Sequence, residues 1–420
     1  MYDIITLGSA TVDVFASTES DLVKFLSSDG EKDFIAYPSG SKLLVSDLSF
    51  LIGGGGTNSA VAFSRLGFKT AFLGKLGNDE NGQKVLNLLN EENIDFLGKQ
   101  DGQTGYSIIL DSIENDRTIL TYKGTNNNLY ENDLDFNSLN AKWLYASSMV
   151  GDSFETLKKI FFQIKKNNMK LAFNPSNYQA KLGFNELKDI LEILDVLILN
   201  LDEARLIVGN NDLLEQDLAP KLSQSNNQII IITDGSKGAT CFANNEFYHI
   251  SPSPHIKIFE TTGAGDAFAS GFIAGLLRKY DIEDSLKLAM VEAESVISNK
   301  GSKEGLLSKE DSFQYLASFK GTIQKHSSPE ALNSKSQRVN PEKAFILKDG
   351  SIIHSLEELD SHIKLMNNDV FRHHVHEGTN HFATWIRDVF KLEDLANKIN
   401  LSSSKIAIRV IINDYIKNER

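Results

Sequence analysis

The sequence has little of what marks secreted, membrane or nucleic-acid-binding proteins. It contains one cysteine, Cys241, which excludes an internal disulfide framework and predicts a reducing compartment. Its net charge of −13 argues against binding nucleic acid through a general basic surface. The first residues lack the basic and apolar segments of a signal peptide, and no apolar run approaches the ~20 residues that span a bilayer. These features predict a cytoplasmic protein with neither a membrane partner nor a nucleic-acid partner.

Two common nucleotide-binding motifs are also missing. The first predicted strand, at residues 3–7, is followed by Gly8-Ser9-Ala10 and not by the three spaced glycines of the dinucleotide fingerprint. The chain has no P-loop of the glycine–lysine–serine type. These absences exclude two familiar kinds of nucleotide site.

Short apolar runs alternate with helical patterns along most of the chain. Strands are predicted at 144–146, 171–173, 196–199 and 228–232, with helices at 154–166 and 186–194. The alternation predicts an α/β layer sandwich with a mainly parallel sheet. Residues 33–52 and 104–122 instead alternate apolar and polar side chains, which predicts a small accessory sheet of antiparallel strands. With 420 residues, 41% of them hydrophobic, the chain can form one large domain and a smaller one.

The composition changes at residues 320–341, which are polar, rich in serine and contain two prolines. This segment is predicted to be a linker. After it, an Asp349-Gly350 turn between two apolar runs predicts a hairpin, and residues 356–366 and 382–390 fit helices. The chain is therefore predicted to have a large domain over 1–319 and a small, separate α+β or mostly helical domain over 342–420.

The run from Glu260 to Phe272, ETTGAGDAFASGF, is the most informative motif. Residues 256–259 before it alternate as in a strand, and the residues after it recur at helical spacing. At the turn between them, Gly263, Ala264 and Gly265 would let backbone N–H groups approach an anion. Asp266 follows on the first helical turn, so the motif indicates phosphoryl transfer to a hydroxyl with Asp266 as the base. The alternative is an ordinary helix start, with Thr262 as its cap and Asp266 as a first-turn acid.

A second glycine cluster spans Gly53 to Asn58 and precedes another helical pattern. Its four glycines, which include Gly54 and Gly55, would permit the backbone to approach a small polar ligand, and Asn58 can donate and accept hydrogen bonds. Asp13 follows the first strand, where a carboxylate could bind sugar hydroxyls. The alternatives are a flexible loop for the glycines and a turn residue for Asp13.

Polar residues also follow two predicted strands. Asn200 and Glu203 come after the strand at 196–199, where open α/β sheets bind ligands. Thr233 and Gly235 follow the next strand and could hold a nucleotide. The alternatives are a capped helix start for the first pair and a hairpin turn for the second.

In this order the motifs resemble those of the ribokinase-like (PfkB) carbohydrate kinase family, over roughly residues 1–315. The family's first signature is similar to residues 53–67, GGGGTNSAVAFSRLG, with 72–82, FLGKLGNDENG, and its second to ETTGAGDAFASGF. The resemblance implies a three-layer ribokinase-like sandwich with a small β-sheet lid. It also implies ATP-dependent phosphorylation of a small sugar, with a nucleoside as the alternative substrate. A hypothesis of another class is a non-catalytic sugar or nucleotide sensor. The presence of Asp266 and of the full glycine turn argues against it.

The resemblance further implies roles for individual residues. Asp266 would be the catalytic base and Gly263, Ala264 and Gly265 the anion hole. Asp13, Gly54, Gly55 and Asn58 would hold the substrate, and Asn200, Thr233 and Gly235 the nucleotide. Glu203 would organise Mg²⁺, mainly through water. The lid strands, within about 11–52 and 104–122, would mediate a homodimer.

The chain departs from the family pattern at several places. Glu260 stands where the family usually has aspartate, a position that shapes a monovalent-cation site in some members, so dependence on such a cation stays open. Residues 174–179, NPSNYQ, lack an arginine of many sugar and sugar-acid kinases, which argues against a carboxylated or phosphorylated substrate. The C-terminal region resembles small uncharacterised domains fused to various enzymes and indicates neither an activity nor a partner. Six of its histidines lie between His354 and His381. They could form a metal site, but the favoured interpretation is that they are surface and helix-terminal residues.

Overall fold

The structure, a computed structural model, describes residues 1–18, 22–27, 30–35, 39–40, 42, 44–111, 117–327, 339, 341–376 and 379–418. Up to residue 326 the strands are β1 (Tyr2–Leu7), β2 (Thr11–Thr18), β3 (Leu22–Ser27), β4 (Gly30–Ile35), β5 (Val45–Gly53), β6 (Thr70–Leu73), β7 (Lys75–Leu76), β8 (Asp95–Phe96), β9 (Lys99–Gln100), β10 (Gly105–Asp111), β11 (Arg117–Tyr122), β12 (Ala141–Ala146), β13 (Lys170–Phe173), β14 (Val196–Asn200), β15 (Ile229–Thr233), β16 (Ala239–Ala243), β17 (Glu246–Ser251) and β18 (Thr322–His326). The α-helices of the same region are α1 (Gly55–Arg65), α2 (Glu80–Glu91), α3 (Asp152–Lys166), α4 (Asn177–Ala180), α5 (Gly183–Ile193), α6 (Leu201–Val208), α7 (Glu215–Leu222), α8 (Ala264–Leu277), α9 (Ile282–Ile297) and α10 (Lys309–Ser318).

The largest sheet has ten strands in the order β18-β17-β16-β15-β14-β13-β12-β1-β6-β8. From β15 to β8 neighbouring strands are parallel, whereas β16, β17 and β18 add antiparallel strands at one edge. The parallel strands are short apolar runs because both of their faces are covered. The predicted strands at 3–7, 144–146, 171–173, 196–199 and 228–232 all belong to this sheet.

Alternate side chains of each central strand enter two separate hydrophobic cores. Ile230 and Ile232 of β15 belong to a core that includes residues of α3 and α5, such as Leu157. Ile231, between them, points to the other face and belongs to a core that includes Phe63 of α1 and Phe272 of α8. Burial of one such side chain stabilises the fold by about 1.5–3 kcal/mol. Helices therefore cover both faces of the sheet, which confirms the predicted three-layer sandwich.

A four-stranded sheet, in the order β11-β10-β2-β5, forms the lid that the resemblance implied. The pairs β2–β5 and β10–β11 are antiparallel, but β2 and β10 are parallel. The prediction of antiparallel strands alone was therefore wrong for the central pair. Turn signals specify only local hairpins, and β2 and β10 come from distant parts of the chain. The lid strands carry large exposed apolar side chains, namely Val45, Leu48, Phe50, Ile108, Ile119, Leu120 and Tyr122.

The strand predicted before the Glu260 motif does not form. Ile258 and Phe259 are 58% and 59% exposed. The Phe259 N–H donates to the Ile297 carbonyl at 2.7 Å, so this segment is attached to the end of α9 and not to the sheet. His255, with φ of 66°, interrupts any extended conformation just before it. Apolar alternation over four residues was too short a pattern to identify a strand.

The predicted linker at 320–341 begins too early. Strand β18 lies inside it and pairs antiparallel with β17 at the edge of the main sheet, so the large domain extends beyond residue 319. Only Ile323 of this strand is strongly apolar, because an edge strand keeps one side in water. Residues 328–338 and 340 of the predicted linker lie outside the described residues.

We expect β18 to contribute measurably to stability. A chain ending at Phe319 would leave the β17 edge unpaired and would lack the packing of Ile323 against the core, and it should lose about 1–3 kcal/mol of unfolding free energy relative to a chain ending at Ser327. Urea unfolding of the two chains, followed by far-UV circular dichroism, measures the difference. Equal unfolding free energies would show that the large domain ends before β18.

The C-terminal region has a hydrophobic core of its own. Its elements are β19 (Phe345–Ile346), β20 (Ile352–Ile353), α11 (Leu356–Leu365), α12 (Asn368–His374), β21 (Val375–His376), β22 (Thr379–Asn380), α13 (His381–Phe390), α14 (Glu393–Asn400) and α15 (Lys405–Asn418). The predicted hairpin is confirmed: β19 and β20 are antiparallel, and Gly350 has φ of 88° in the turn. Trp385 lies in the core and donates through Nε1 to the Lys343 carbonyl at 2.8 Å. The separate core supports the division into two domains, which we keep as a proposal. None of the helices in the described ranges has the length and apolar character needed to span a bilayer.

Candidate active site

Helix α8 begins with the glycine turn of the ETTGAGD motif. Gly263 is the residue before the helix, with φ of 82°, and as a glycine it has no side chain that could cap the helix by a hydrogen bond. A Cβ on Gly263 would lie 2.6 Å from the Ser302 Cβ, so only glycine fits there. By contrast, no described atom outside the helix lies within 4 Å of the position of a Cβ on Gly265. The positive end of the α8 dipole therefore faces open space, where an anion can approach.

Asp266, in the first turn of α8, lies against the second glycine cluster. Its Oδ2 accepts a hydrogen bond of 2.8 Å from Asn58 Nδ2, and its Oδ1 is 3.2 Å from the position of a Cβ on Gly55. Burial raises the pKa of Asp266, while the hydrogen bond from Asn58 and the charge of Lys303 lower it. The structure thus joins two residues that are 208 positions apart in the sequence.

The glycine cluster is itself the start of a helix. Helix α1 begins at Gly55, earlier than the sequence pattern indicated, and Gly54 precedes it with φ of 96°. A Cβ on Gly54 would lie 2.5 Å from the carbonyl oxygen of Ser9, so a side chain there would collide with the loop after β1. Gly54 and Gly55 thereby allow α1 to pack close to β1 and bring Asn58 to Asp266.

Asn58 is held by more groups than the sequence suggested. Its Oδ1 accepts hydrogen bonds from Ser302 Oγ, at 3.0 Å, and from Lys303 Nζ, which also donates to the Ile52 carbonyl. Lys303 is only 5% exposed. Burial lowers the pKa of its ammonium group to about 8, although the negative charges of Asp13, Asp266 and Glu304 act in the opposite direction. Sequence reasoning missed Ser302 and Lys303. The available signal was a Gly-Ser-Lys-Glu-Gly loop after α9, but nothing in it indicated that the lysine is buried.

Asp13 lies on strand β2 of the lid and not in a turn. Its Oδ2 lies over Gly53, at 1.9 Å from the position of a Cβ on that residue, so glycine leaves the space that the carboxylate fills. Its Oδ1 is buried and has no hydrogen-bond partner among the described residues. An unpaired buried carboxylate oxygen costs free energy, so Asp13 offers an acceptor for a hydroxyl donor.

The residues predicted to bind nucleotide lie at the same carboxyl edge of the sheet. Asn200 ends β14 and is paired in register with Thr233, the last residue of β15. Asn200 and Glu203 form a reciprocal capping box at the start of α6, with hydrogen bonds of 2.8 and 2.9 Å. Burial raises the pKa of Glu203 to about 7. Gly235, with φ of 52°, lies in the β15–β16 connection, so the hairpin-turn interpretation also holds.

Two departures from the family pattern have structural roles. Glu260 is buried, and its Oε2 accepts a hydrogen bond of 2.9 Å from the Gly301 N–H, which ties the turn before α8 to the loop that carries Lys303. Gln179 is also buried and donates to the Met149 carbonyl, while its Oε1 accepts from Ser148 at 2.8 Å. The position that an arginine often occupies is here part of the internal packing.

The C-terminal histidines form a loose group. His374 Nε2 accepts the Lys348 N–H at 3.0 Å, and its ring lies 5.1 Å from that of Phe345. Burial lowers the pKa of His374 to about 4. Across the described ranges, no group of three or more histidine, cysteine, aspartate or glutamate side chains is placed to hold a metal ion.

Comparison with known proteins identifies the family. The description of the pfkB family of carbohydrate kinases matches residues 13–309, which is more than half of the chain and contains all the residues above from Asp13 to Lys303. The chain belongs to the pfkB family of carbohydrate kinases. Members of this family are ATP-dependent phosphotransferases, so the prediction of a carbohydrate kinase is confirmed.

Several known proteins are similar to the chain. An uncharacterized sugar kinase of Archaeoglobus fulgidus is 27% identical over 254 residues, covering 59% of this chain and 98% of the relative. A 5-dehydro-2-deoxygluconokinase of Clostridium botulinum is 26% identical over 280 residues, covering 61% and 80%. The crystal structure of ribokinase from Thermotoga maritima superposes with a TM-score of 0.63 at 22% identity, covering 76% of this chain and 100% of the other. The last comparison shows the shared fold alone.

Proposed function

We propose that this chain transfers the γ-phosphoryl group of ATP to a hydroxyl of a small sugar. The observation that carries the proposal is the position of Asp266 beside the start of α8, where there is open space at Gly265. N–H groups at Gly263, Ala264 and Gly265 would stabilise the negative charge of the transferring phosphoryl group. Asp266, held by Asn58, would accept the proton of the attacking hydroxyl.

The proposed reaction makes one bond to phosphorus, breaks another, and transfers one proton. The hydroxyl oxygen attacks the γ-phosphorus, the bond from phosphorus to the bridging oxygen of ADP breaks, and the hydroxyl proton passes to Asp266 Oδ1 or Oδ2. Asp13 would hold the sugar by accepting from a neighbouring hydroxyl at its unpaired Oδ1. The lid that carries Asp13 would exclude water from the reacting groups and so suppress hydrolysis of ATP.

The nucleotide would lie along the carboxyl ends of β14 and β15. Asn200 and Thr233 are neighbours there and present side-chain hydrogen-bonding groups. Gly235 has no described atom within 4 Å of the position of its missing Cβ, which leaves room for a nucleotide group. We propose these three residues as contacts to ATP.

Magnesium would neutralise the phosphates of ATP. Glu203 fits this ion as a carboxylate at the same edge of the sheet, and the capping box fixes its orientation. In kinase sites this ion is usually held by one or two carboxylates together with water and the phosphates of the substrate. A monovalent cation would act near the buried contact between Glu260 and Gly301.

Replacing Glu203 with glutamine should raise the half-saturating Mg²⁺ concentration by about tenfold, because the carboxylate that would act on the ion through water becomes a neutral amide. Glutamine can still form the capping box, so the fold should persist. Asp202→Asn is the matched control, because that side chain is 84% exposed and only one residue away. Magnesium titrations of activity measure both variants. Equal Mg²⁺ dependence in the two variants would remove Glu203 from this role.

We also propose that the lid mediates a homodimer. Strands β5 and β11 carry apolar side chains, such as Phe50 and Ile119, that are about half exposed. A second copy of the lid would cover them.

The test of the proposed function is a substrate screen. The full chain is incubated with Mg-ATP and pooled neutral sugars, sugar acids and nucleosides, and phosphorylated products are detected by mass spectrometry, with Asp266→Asn as the control. A sugar phosphate formed only by the unmodified chain supports the proposal. A nucleoside monophosphate would favour the alternative of a nucleoside kinase, and nucleotide binding without any product would favour a sensor.

A further inference from the structure

We propose that Lys303 is a positioning residue for phosphoryl transfer, which orients Asn58 and keeps Asp266 ionised. The inference rests on the proposed function of Asp266 as the base. It adds a residue that no sequence motif indicated.

The hydrogen bonds around Asn58 form a directed chain. Lys303 Nζ and Ser302 Oγ both donate to Asn58 Oδ1, which leaves Nδ2 of the same amide to donate to Asp266 Oδ2. An ammonium group can only donate, so it cannot accept from Nδ2 if the amide rotates by 180°. Lys303 therefore selects the amide orientation in which Asn58 holds the carboxylate of Asp266.

The backbone of Lys303 is fixed from two sides. Its carbonyl accepts a hydrogen bond of 2.7 Å from Arg65 Nη1, on α1. The loop begins at Gly301, whose N–H is bound by Glu260, and Leu307 beyond it donates to Glu292 Oε2 at 3.1 Å. These contacts place the lysine stem rigidly, as a positioning role requires.

The charge of Lys303 also compensates the carboxylates around it. The ionisable groups that face its ammonium are Asp13 on the lid, Asp266 on α8, Glu304 next in the chain and Arg65 on α1. Asp266 also faces Tyr145 on β12. Burial and the charge of Asp266 raise the pKa of Tyr145, so the tyrosine stays neutral. Burial alone would favour the protonated form of Asp266, which cannot act as a base, and the Lys303 charge opposes this effect.

The ionisation of Asp266 and Lys303 should give the pH profile of kcat an acid limb and an alkaline limb. Activity should fall at low pH as Asp266 becomes protonated, and above about pH 8 as Lys303 loses its proton. Lys303→Met should lower kcat about tenfold at pH 7 and move the acid limb upward by about one pH unit. Lys303→Arg keeps the positive charge at all pH values, so it should restore much of kcat and remove the alkaline limb.

Lys300→Met is the matched control, since this lysine lies three residues earlier and its side chain is 48% exposed. It should leave kcat and both limbs unchanged. Melting curves on all variants separate a folding defect from a change in mechanism. An acid limb that stays in place in Lys303→Met, or an alkaline limb that persists in Lys303→Arg, would overturn the proposal.

A second measurement does not depend on activity. In protein labelled with ¹³C at the aspartate carboxyl carbon, the Asp266 signal is assigned as the one missing in Asp266→Asn, and its titration is followed by NMR. We expect the pKa of Asp266 to be about one unit higher in Lys303→Met than in the unmodified chain. An unchanged pKa would contradict the inference even if no sugar were phosphorylated, whereas a raised pKa with no sugar phosphorylated would contradict only the proposed function.

Discussion

Replacement of Asp266 by asparagine is expected to lower kcat by about 10²–10⁴-fold, the usual contribution of a positioned general base. The side chain keeps its size, and its amide oxygen can still accept the hydrogen bond from Asn58 Nδ2. The variant should therefore fold like the parent and bind ATP with similar affinity. Steady-state kinetics with the sugar found in the screen, together with a fluorescence titration of nucleotide, measures both quantities.

The result distinguishes a base from an ordinary first-turn acid. An acid that merely interacts with the α8 dipole contributes about 0.3–1 kcal/mol to stability and nothing to turnover. Retention of more than about a tenth of the parent kcat would remove Asp266 from the catalytic role. A melting temperature far below that of the parent would mean instead that the carboxylate has a structural role.

Asp13→Ala is expected to raise KM for the phosphoryl acceptor by about tenfold or more and to leave KM for ATP nearly unchanged. The carboxylate lies over Gly53 with one buried oxygen unpaired, so it can accept a hydrogen bond from a sugar hydroxyl. Removing the carboxylate leaves the buried sugar hydroxyl without a hydrogen-bond acceptor, which weakens sugar binding by about 1–3 kcal/mol.

The lid offers a matched control for Asp13. Asp47, on β5 of the same sheet, is 62% exposed and forms a surface ion pair with Lys300 at 3.3 Å. Asp47→Ala should change neither KM by more than about twofold, since surface ion pairs contribute about 0–1 kcal/mol. If Asp13→Ala lowers the melting temperature without a selective change in acceptor KM, Asp13 supports the lid and does not bind substrate.

The parts of the fold that follow from local pattern were predictable from the sequence. Apolar runs such as Ile229–Thr233 are buried between helices on both faces of a mainly parallel sheet, the place in the fold that suits such a run. The strand predicted at 256–259 does not form, because four alternating residues are a weak preference and the Phe259 N–H instead donates to the Ile297 carbonyl at the end of α9. The edge strand Thr322–His326 was missed for the opposite reason, since one side of it faces water and its composition resembles a linker.

The site divides in the same way. The glycines of both clusters and Asp266 could be singled out because each cluster leads directly into a helical pattern, where backbone N–H groups can meet an anion. The hydrogen bond between Asn58 and Asp266 was not predicted, because it joins residues that are 208 positions apart in the sequence. Lys303 could not be identified at all, since a lysine in a polar loop is usually exposed, and its burial depends on the packing of α1, α8 and the lid.

The central claim is that Asp266 is the base in transfer of a phosphoryl group from ATP to a sugar. Its most direct test follows the reaction by ³¹P NMR, with Mg-ATP, the accepted sugar and either the unmodified chain or Asp266→Asn. The account predicts that the unmodified chain forms one sugar phosphate for each ADP, with little free phosphate, and that the variant forms product at least about a hundredfold more slowly. Release of ADP and free phosphate without a sugar phosphate, or equal rates in the two proteins, would contradict it.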